Sequence, residues 1–186
     1  MKLNPRRVLH FALLFVPLFA GFLLIYPQVM NVYHPATLGV ANAIMARMDP
    51  PTSIGIGRDG GWRAFDETGG YKRVVSRWRS WQKHLHFLSL ALLPALILST
   101  PAPWRTRFKL LAIAIPLLFV VHSLTMVGVV RSQYCYMIDR KDFLCIWVLR
   151  AVNTSGQLFA AALWALLTWR YWVGGDDSKP AASSKA

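Results

Sequence analysis

Acidic residues are scarce in this sequence. Eight Asp and Glu stand against 21 Lys and Arg in 186 residues, a formal net charge of +13. Charged residues of both signs make up only 16%, against about 25% in an ordinary soluble domain. Cysteine is nearly absent, and two residues exclude a disulfide scaffold. No His or Cys spacing of the zinc type occurs, so no metal is expected. What fills the space is apolar or aromatic, 55% of the chain, gathered into four long stretches with almost no charge. That pattern excludes a disordered chain and argues against a soluble globule. A basic excess in a soluble protein would point to nucleic acid. Here the basic residues flank the apolar runs, so a lipid bilayer is the expected partner and nucleic acid is not.

The four runs predict an all-α polytopic membrane protein with four transmembrane helices, at about 8–26, 84–100, 108–130 and 151–172. Val8–Ile25 carries no charge and is long enough to cross a hydrocarbon core that needs roughly 20 helical residues. A signal peptide is the competing reading of this run. Its length and the distance to Ala41–Ala43 favour an uncleaved anchor. The second and third runs are joined by the short link Pro101–Arg107, which demands an antiparallel helix hairpin. The polar tail 174–186 is expected to be disordered. Tyr26, Trp78, Trp81, Trp104, Tyr134, Trp147, Trp169 and Trp172 fall near span ends, where amphipathic rings favour the headgroup zone. Lys2, Arg6 and Arg7 before the first span place the N-terminus in the cytoplasm, and four crossings then return the C-terminus there.

Two outer loops follow, 27–83 and 131–150. In the first, Leu38, Ala41, Ile44, Met45 and Met48 recur at helical spacing and predict an interfacial helix over Ala36–Met48. Asp59-Gly60-Gly61, between two β-prone pieces of Ser53–Phe65, reads equally as a short hairpin or as a glycine-rich loop. Tyr71–Lys83, basic and aromatic, is expected as a helix on anionic headgroups.

Polar side chains in or near a bilayer are costly, so they are the candidate functional residues. An outer polar cluster is expected from His84, His86, Arg131, Arg150, Asn153 and Gln157. His122 and Ser123 lie in the outer half of the third span. The plain alternative has the arginines snorkelling to headgroups and the amides bonding between helices. Cys135 and Cys145 share the second outer loop, where an oxidising compartment permits a disulfide. A free thiol there is a candidate nucleophile, and a thiol-redox protein would place cysteines in the same loop. His86 and His122 make a weak pair for haem. No cofactor is expected.

The segment Thr100-Pro-Ala-Pro-Trp-Arg-Thr-Arg-Phe-Lys-Leu-Leu, Arg131 at the end of the third span, Ser155-Gly-Gln-Leu-Phe at the fourth, and Tyr33-His34-Pro35 ahead of them form a familiar order. Over roughly residues 8–172 it resembles the exosortase/archaeosortase family of polytopic membrane transpeptidases, particularly its short forms, and the small membrane proteins associated with exosortase H systems. The resemblance implies a bacterial inner-membrane protein of a protein-sorting or envelope system. It also implies a cysteine nucleophile at the outer end of one span, assisted by an arginine after the next and by a further His or Arg at the start of a later one. No His stands a turn before Gly156, where Arg150 and Asn153 are nearest. Arg131 stands where the first arginine is expected. Ser80–Ala91, where the cysteine is expected, holds His84, His86 and Ser89 and no cysteine. The role that follows is a non-catalytic partner or degenerate relative, contacting a membrane-protein partner or a sorted substrate protein. The alternative is a cysteine transpeptidase or peptidase using Cys135 or Cys145 with Arg131 and His122.

Overall fold

A computed structural model describes residues 5–49, 51–58, 61–67, 73–78, 87–138 and 158–172. These form a helix α1 (Pro5–Met45), three strands β1 (Thr52–Ile56), β2 (Trp62–Asp66) and β3 (Arg73–Trp78), and helices α2 (Ser89–Ser99), α3 (Trp104–Ile138) and α4 (158–172). The protein is thus helical with a small antiparallel sheet, rather than wholly α. Two helices are long and apolar enough to cross a membrane, Arg6–Met45 and Trp104–Tyr134.

Helix α1 corrects the division of the first 48 residues into a span, a connection and an interfacial helix. It runs unbroken through Pro17, Pro27 and Pro35. A proline inside a helix removes one main-chain bond and pushes on the carbonyl four residues earlier. All three prolines lie on exposed positions, where the helix can curve away without disturbing a packed neighbour. At about 1.5 Å per residue, α1 and α3 reach about 60 Å and 50 Å, well beyond a hydrocarbon core of about 30 Å. The surplus of both lies at one end of the bundle, against the sheet.

Of the two readings of Ser53–Phe65, the hairpin is the one present, as β1 and β2, with Ile54 opposite Ala64 and Ile56 opposite Trp62. The basic segment after it is a third strand over Arg73–Trp78, in the order β1-β2-β3, and not the expected surface helix. Val74 and Val75 suit a pleated surface, and Val74 lies opposite Phe65. Asp66 faces Arg73 across the pair, a favourable charge match, and a register shift falls at Ala64/Phe65. As the edge strand, β1 exposes unpaired main-chain groups. Asn42 of α1 closes that edge. Its Oδ1 accepts from the Ile54 N–H at 2.7 Å and its Nδ2 donates to the Ile54 carbonyl at 3.0 Å. One side-chain amide therefore stands in for a neighbouring strand and fixes the sheet to α1.

Helix α2 is buried on nearly every face and forms the centre of the bundle, packed on α1 and α3. A helix that is apolar all round belongs in such a place. The antiparallel turn from α2 into α3 is held by Arg107. Its Nε donates to the Ala102 carbonyl at 2.7 Å and its Nη1 to the Leu98 carbonyl, while the guanidinium lies over the Trp104 ring, 4.5 Å from its centroid. These bonds satisfy carbonyls that a helix end leaves without partners. Helix α4 joins at the same end. Trp164 donates to Thr100 Oγ1 at 3.0 Å, Phe11 packs against Trp164 and Trp172, and Arg7 donates to the Tyr171 carbonyl at 3.5 Å. The start of α1, the 101–103 link and the end of α4 thus meet at one end, opposite the sheet.

The third span continues as helix to Ile138, so the expected loop 131–150 begins later than the apolar pattern indicated. Residues 84–86 of the second span and 151–157 of the fourth lie outside the described residues, as do the remainder of the second loop and the tail 174–186.

Candidate functional site: a buried serine, histidine and tyrosine relay

Beneath the sheet, α1, α2 and α3 bring three polar side chains together inside an aromatic shell. Ser89 opens α2, Tyr33 comes from the second half of α1, and His122 from the middle of α3. Ser89 Oγ lies 2.7 Å from His122 Nε2, and Tyr33 Oη lies 2.8 Å from His122 Nδ1. Both ring nitrogens of His122 are therefore engaged. A neutral imidazole holds one proton, donating from one nitrogen and accepting at the other. The relay then runs in either of two directions, from Ser89 through the ring to Tyr33 or the reverse.

The shell around this relay is tight. His122 is 1% exposed and Ser89 6%. Phe87 is fully buried and meets the His122 ring edge to face, with centroids 4.9 Å apart. Tyr33 packs in the same way against Phe87, Phe119 and His122. Such contacts contribute roughly 0.5–1.5 kcal/mol each beyond simple burial. Buried polar groups are expensive unless bonded, and here the relay satisfies its own members.

A second histidine belongs to the same shell. His34, next to Tyr33 on α1, accepts at Nε2 from the indole N–H of Trp62 on β2 at 2.5 Å. Trp donates only, so His34 Nε2 carries no proton. Phe87 touches both of these rings, and so bridges the His34–Trp62 pair to the relay. Tyr33-His34-Pro35, conspicuous in the sequence, thereby sends one side chain to the relay and the next to the sheet.

Of the expected site residues, His122 is in the relay. Arg131 is not. It lies nine residues further along α3, about 13 Å by helical rise. There its Nη2 donates to the Asp49 carbonyl at 2.8 Å and its guanidinium lies over Tyr134. Arg131 thus secures the chain just past the end of α1. His84, His86, Cys145, Arg150, Asn153 and Gln157 lie outside the described residues, as does the side chain of Cys135 on α3. Among the described residues no group of three or more His, Cys, Asp or Glu is placed to hold a metal ion.

Sequence reasoning missed Ser89, Tyr33, Trp62 and Phe87 as parts of one site. The available signal was His122 itself, the one ionisable group between Lys109 and Arg131, which needed polar partners from neighbouring helices. Chemically, a serine hydroxyl on a neutral imidazole is the pairing from which a hydroxyl nucleophile is activated. The chain matches no family model, no curated protein and no solved structure.

Proposed function

We propose that this is a four-span inner-membrane protein of an exosortase-type sorting or envelope system, with the sheet end of the bundle outside the cytoplasm and both termini inside. The observation that carries the membrane part of this reading is the exposed apolar surface of the helices, and the sorting part rests on the resemblance over residues 8–172. Leu9, Leu13, Val16 and Leu24 on α1, Phe108 and Ile113 on α3 and Leu166 on α4 are all more than half exposed. Soluble monomers rarely leave so many large apolar side chains of their helices open to water. Lipid covers it without cost. The meeting of the α1 start, the 101–103 link and the α4 end at one pole supports an even number of crossings. Arg6, Arg7, Arg105, Arg107 and Arg170 sit directly at span ends and support cytoplasmic placement of that pole. Arg47, Arg58, Arg63, Arg73 and Arg77 of the other pole belong instead to the long 27–83 loop, near the length at which the rule loses force.

The opposite pole, with its sheet and the Arg131 contact, is the part available to a membrane-embedded transpeptidase or to the segment it sorts. The test is fractionation followed by purification in mild detergent from the native host. The protein is expected to resist carbonate extraction and to bring a membrane transpeptidase or a sorted protein with it. Recovery in the soluble fraction after lysis defeats the membrane reading. Recovery only as a lone monomer across several mild detergents defeats the partner reading.

A further inference from the structure

We propose that Ser89 is an acyl-accepting nucleophile with His122 as its general base, acting on ester or amide carbonyls flanked by apolar groups. This goes beyond an envelope role, since it gives the chain a chemistry of its own. Other helical hydroxyls bond within their own helix. Ser99, Ser123, Thr125 and Thr168 each donate to the carbonyl four residues earlier on their own helix. That is the default for Ser and Thr in apolar helices. Ser89 instead meets a histidine nitrogen on a different helix at 2.7 Å. The distance falls within the range needed for proton transfer between nucleophile and base. The second ring nitrogen is held by Tyr33, so the ring has a fixed orientation toward the serine.

The surroundings name the substrate class. Phe87, Tyr33 and Phe119 supply aromatic surface beside the pair. That lining favours an apolar chain or an aromatic-rich peptide over a charged ligand. In the reaction, Ser89 Oγ adds to the carbonyl carbon as its proton passes to His122 Nε2, and the carbonyl π electrons move to oxygen. Collapse restores the carbonyl and expels the alkoxide or amine, which takes the proton from Nε2. An ester on Ser89 remains. Water, deprotonated by the same nitrogen, cleaves that ester and returns the free hydroxyl.

Diisopropyl fluorophosphate, small and apolar, tests the proposal on the full chain in detergent, with the adduct located by peptide mass spectrometry. The expected result is an adduct on Ser89 in native protein, reduced at least tenfold in His122→Gln that elutes as the wild type does, and abolished when the wild type is first denatured in SDS. Native protein that stays unmodified at Ser89 overturns the proposal. So does labelling that survives denaturation, or that is equal in folded His122→Gln. Membrane extraction and co-purification are read on untreated protein, so an inert Ser89 removes the chemistry and leaves the envelope reading standing.

Discussion

The two halves of α1 share one unbroken helix, yet they live in different surroundings. In the first half, Leu9, Leu13, Val16 and Leu24 face outward, and the most apolar 18-residue window of the helix has no buried residue. In the second half, Tyr26, Met30, His34, Leu38, Ala41 and Met45 are buried, spaced three to four residues apart along one stripe. That stripe packs on α2, on α3 and on the sheet. Hydropathy already separates the two, since the apolar maximum of the helix lies wholly ahead of Tyr26. The difference lies in the polar residues that the second half includes, Tyr33, His34, Thr37 and Asn42, each bonded within the fold. The first half is matched to a solvent, the second to particular neighbours.

The sharpest way to break that comparison is a charge on the outward face. Val16 is 65% exposed and lies near the middle of the proposed first span. On a water-covered surface, Val16→Arg changes stability by no more than about 0.5 kcal/mol. At the centre of a bilayer the same change costs about 2.5–3.5 kcal/mol. The expected outcome is a large drop in the membrane-inserted fraction, read by carbonate extraction of the variant beside the wild type. An unchanged fraction would place this face in water and remove the contrast.

The second half is probed by cutting its bond to the sheet. Asn42→Ala leaves the Ile54 N–H and carbonyl without their described partners on α1. Stranding buried main-chain groups costs about 1–3 kcal/mol. The expected readout is at least tenfold faster hydrogen exchange at the Ile54 amide, with amides around Val16 unchanged. Equal acceleration at both places would show that the halves unfold as one unit.

Much of the scaffold was legible because it depends on local signals. The long apolar runs followed from simple counting, and Asp59-Gly60-Gly61 between β-prone pieces narrowed Ser53–Phe65 to a hairpin or a glycine-rich loop. The continuity of α1 was not legible, because Pro27 and Pro35 carry the same breaking signal in an isolated reading whether or not packing outweighs it. Nor was β3. Arg73, Arg77 and Trp78 suit a headgroup-bound helix as well as a strand, and the presence of β2 as a pairing edge decides between them. The relay was half legible. His122 stood out as a polar exception, but Ser89 lies 12 residues before the 101–103 link and His122 lies 19 after it. Helical rise alone sets them at different heights, and only the packing of the helices brings them together.

A smaller effect sharpens the same comparison from the sheet side, where close fit should matter more than polarity. A Cβ added at Gly55 on β1 would lie 2.9 Å from Phe65 Cε2 on β2, closer than atoms in contact tolerate. The ring must shift, and it is only partly buried, so the cost sits near the low end of the overpacking range, about 1 kcal/mol. Phe65→Leu removes the ring and the clash with it. In thermal unfolding, Gly55→Ala should therefore lower Tm in the wild-type background and cost less in the Phe65→Leu background. The opposite result, a full penalty with leucine at 65, would trace the loss to the backbone of β1 rather than to the ring. Added volume at Leu24, 78% exposed on the outward half of α1, is the matched control. Leu24→Phe meets only lipid in the proposed arrangement and should leave Tm unchanged, since a fluid solvent yields where a packed neighbour does not.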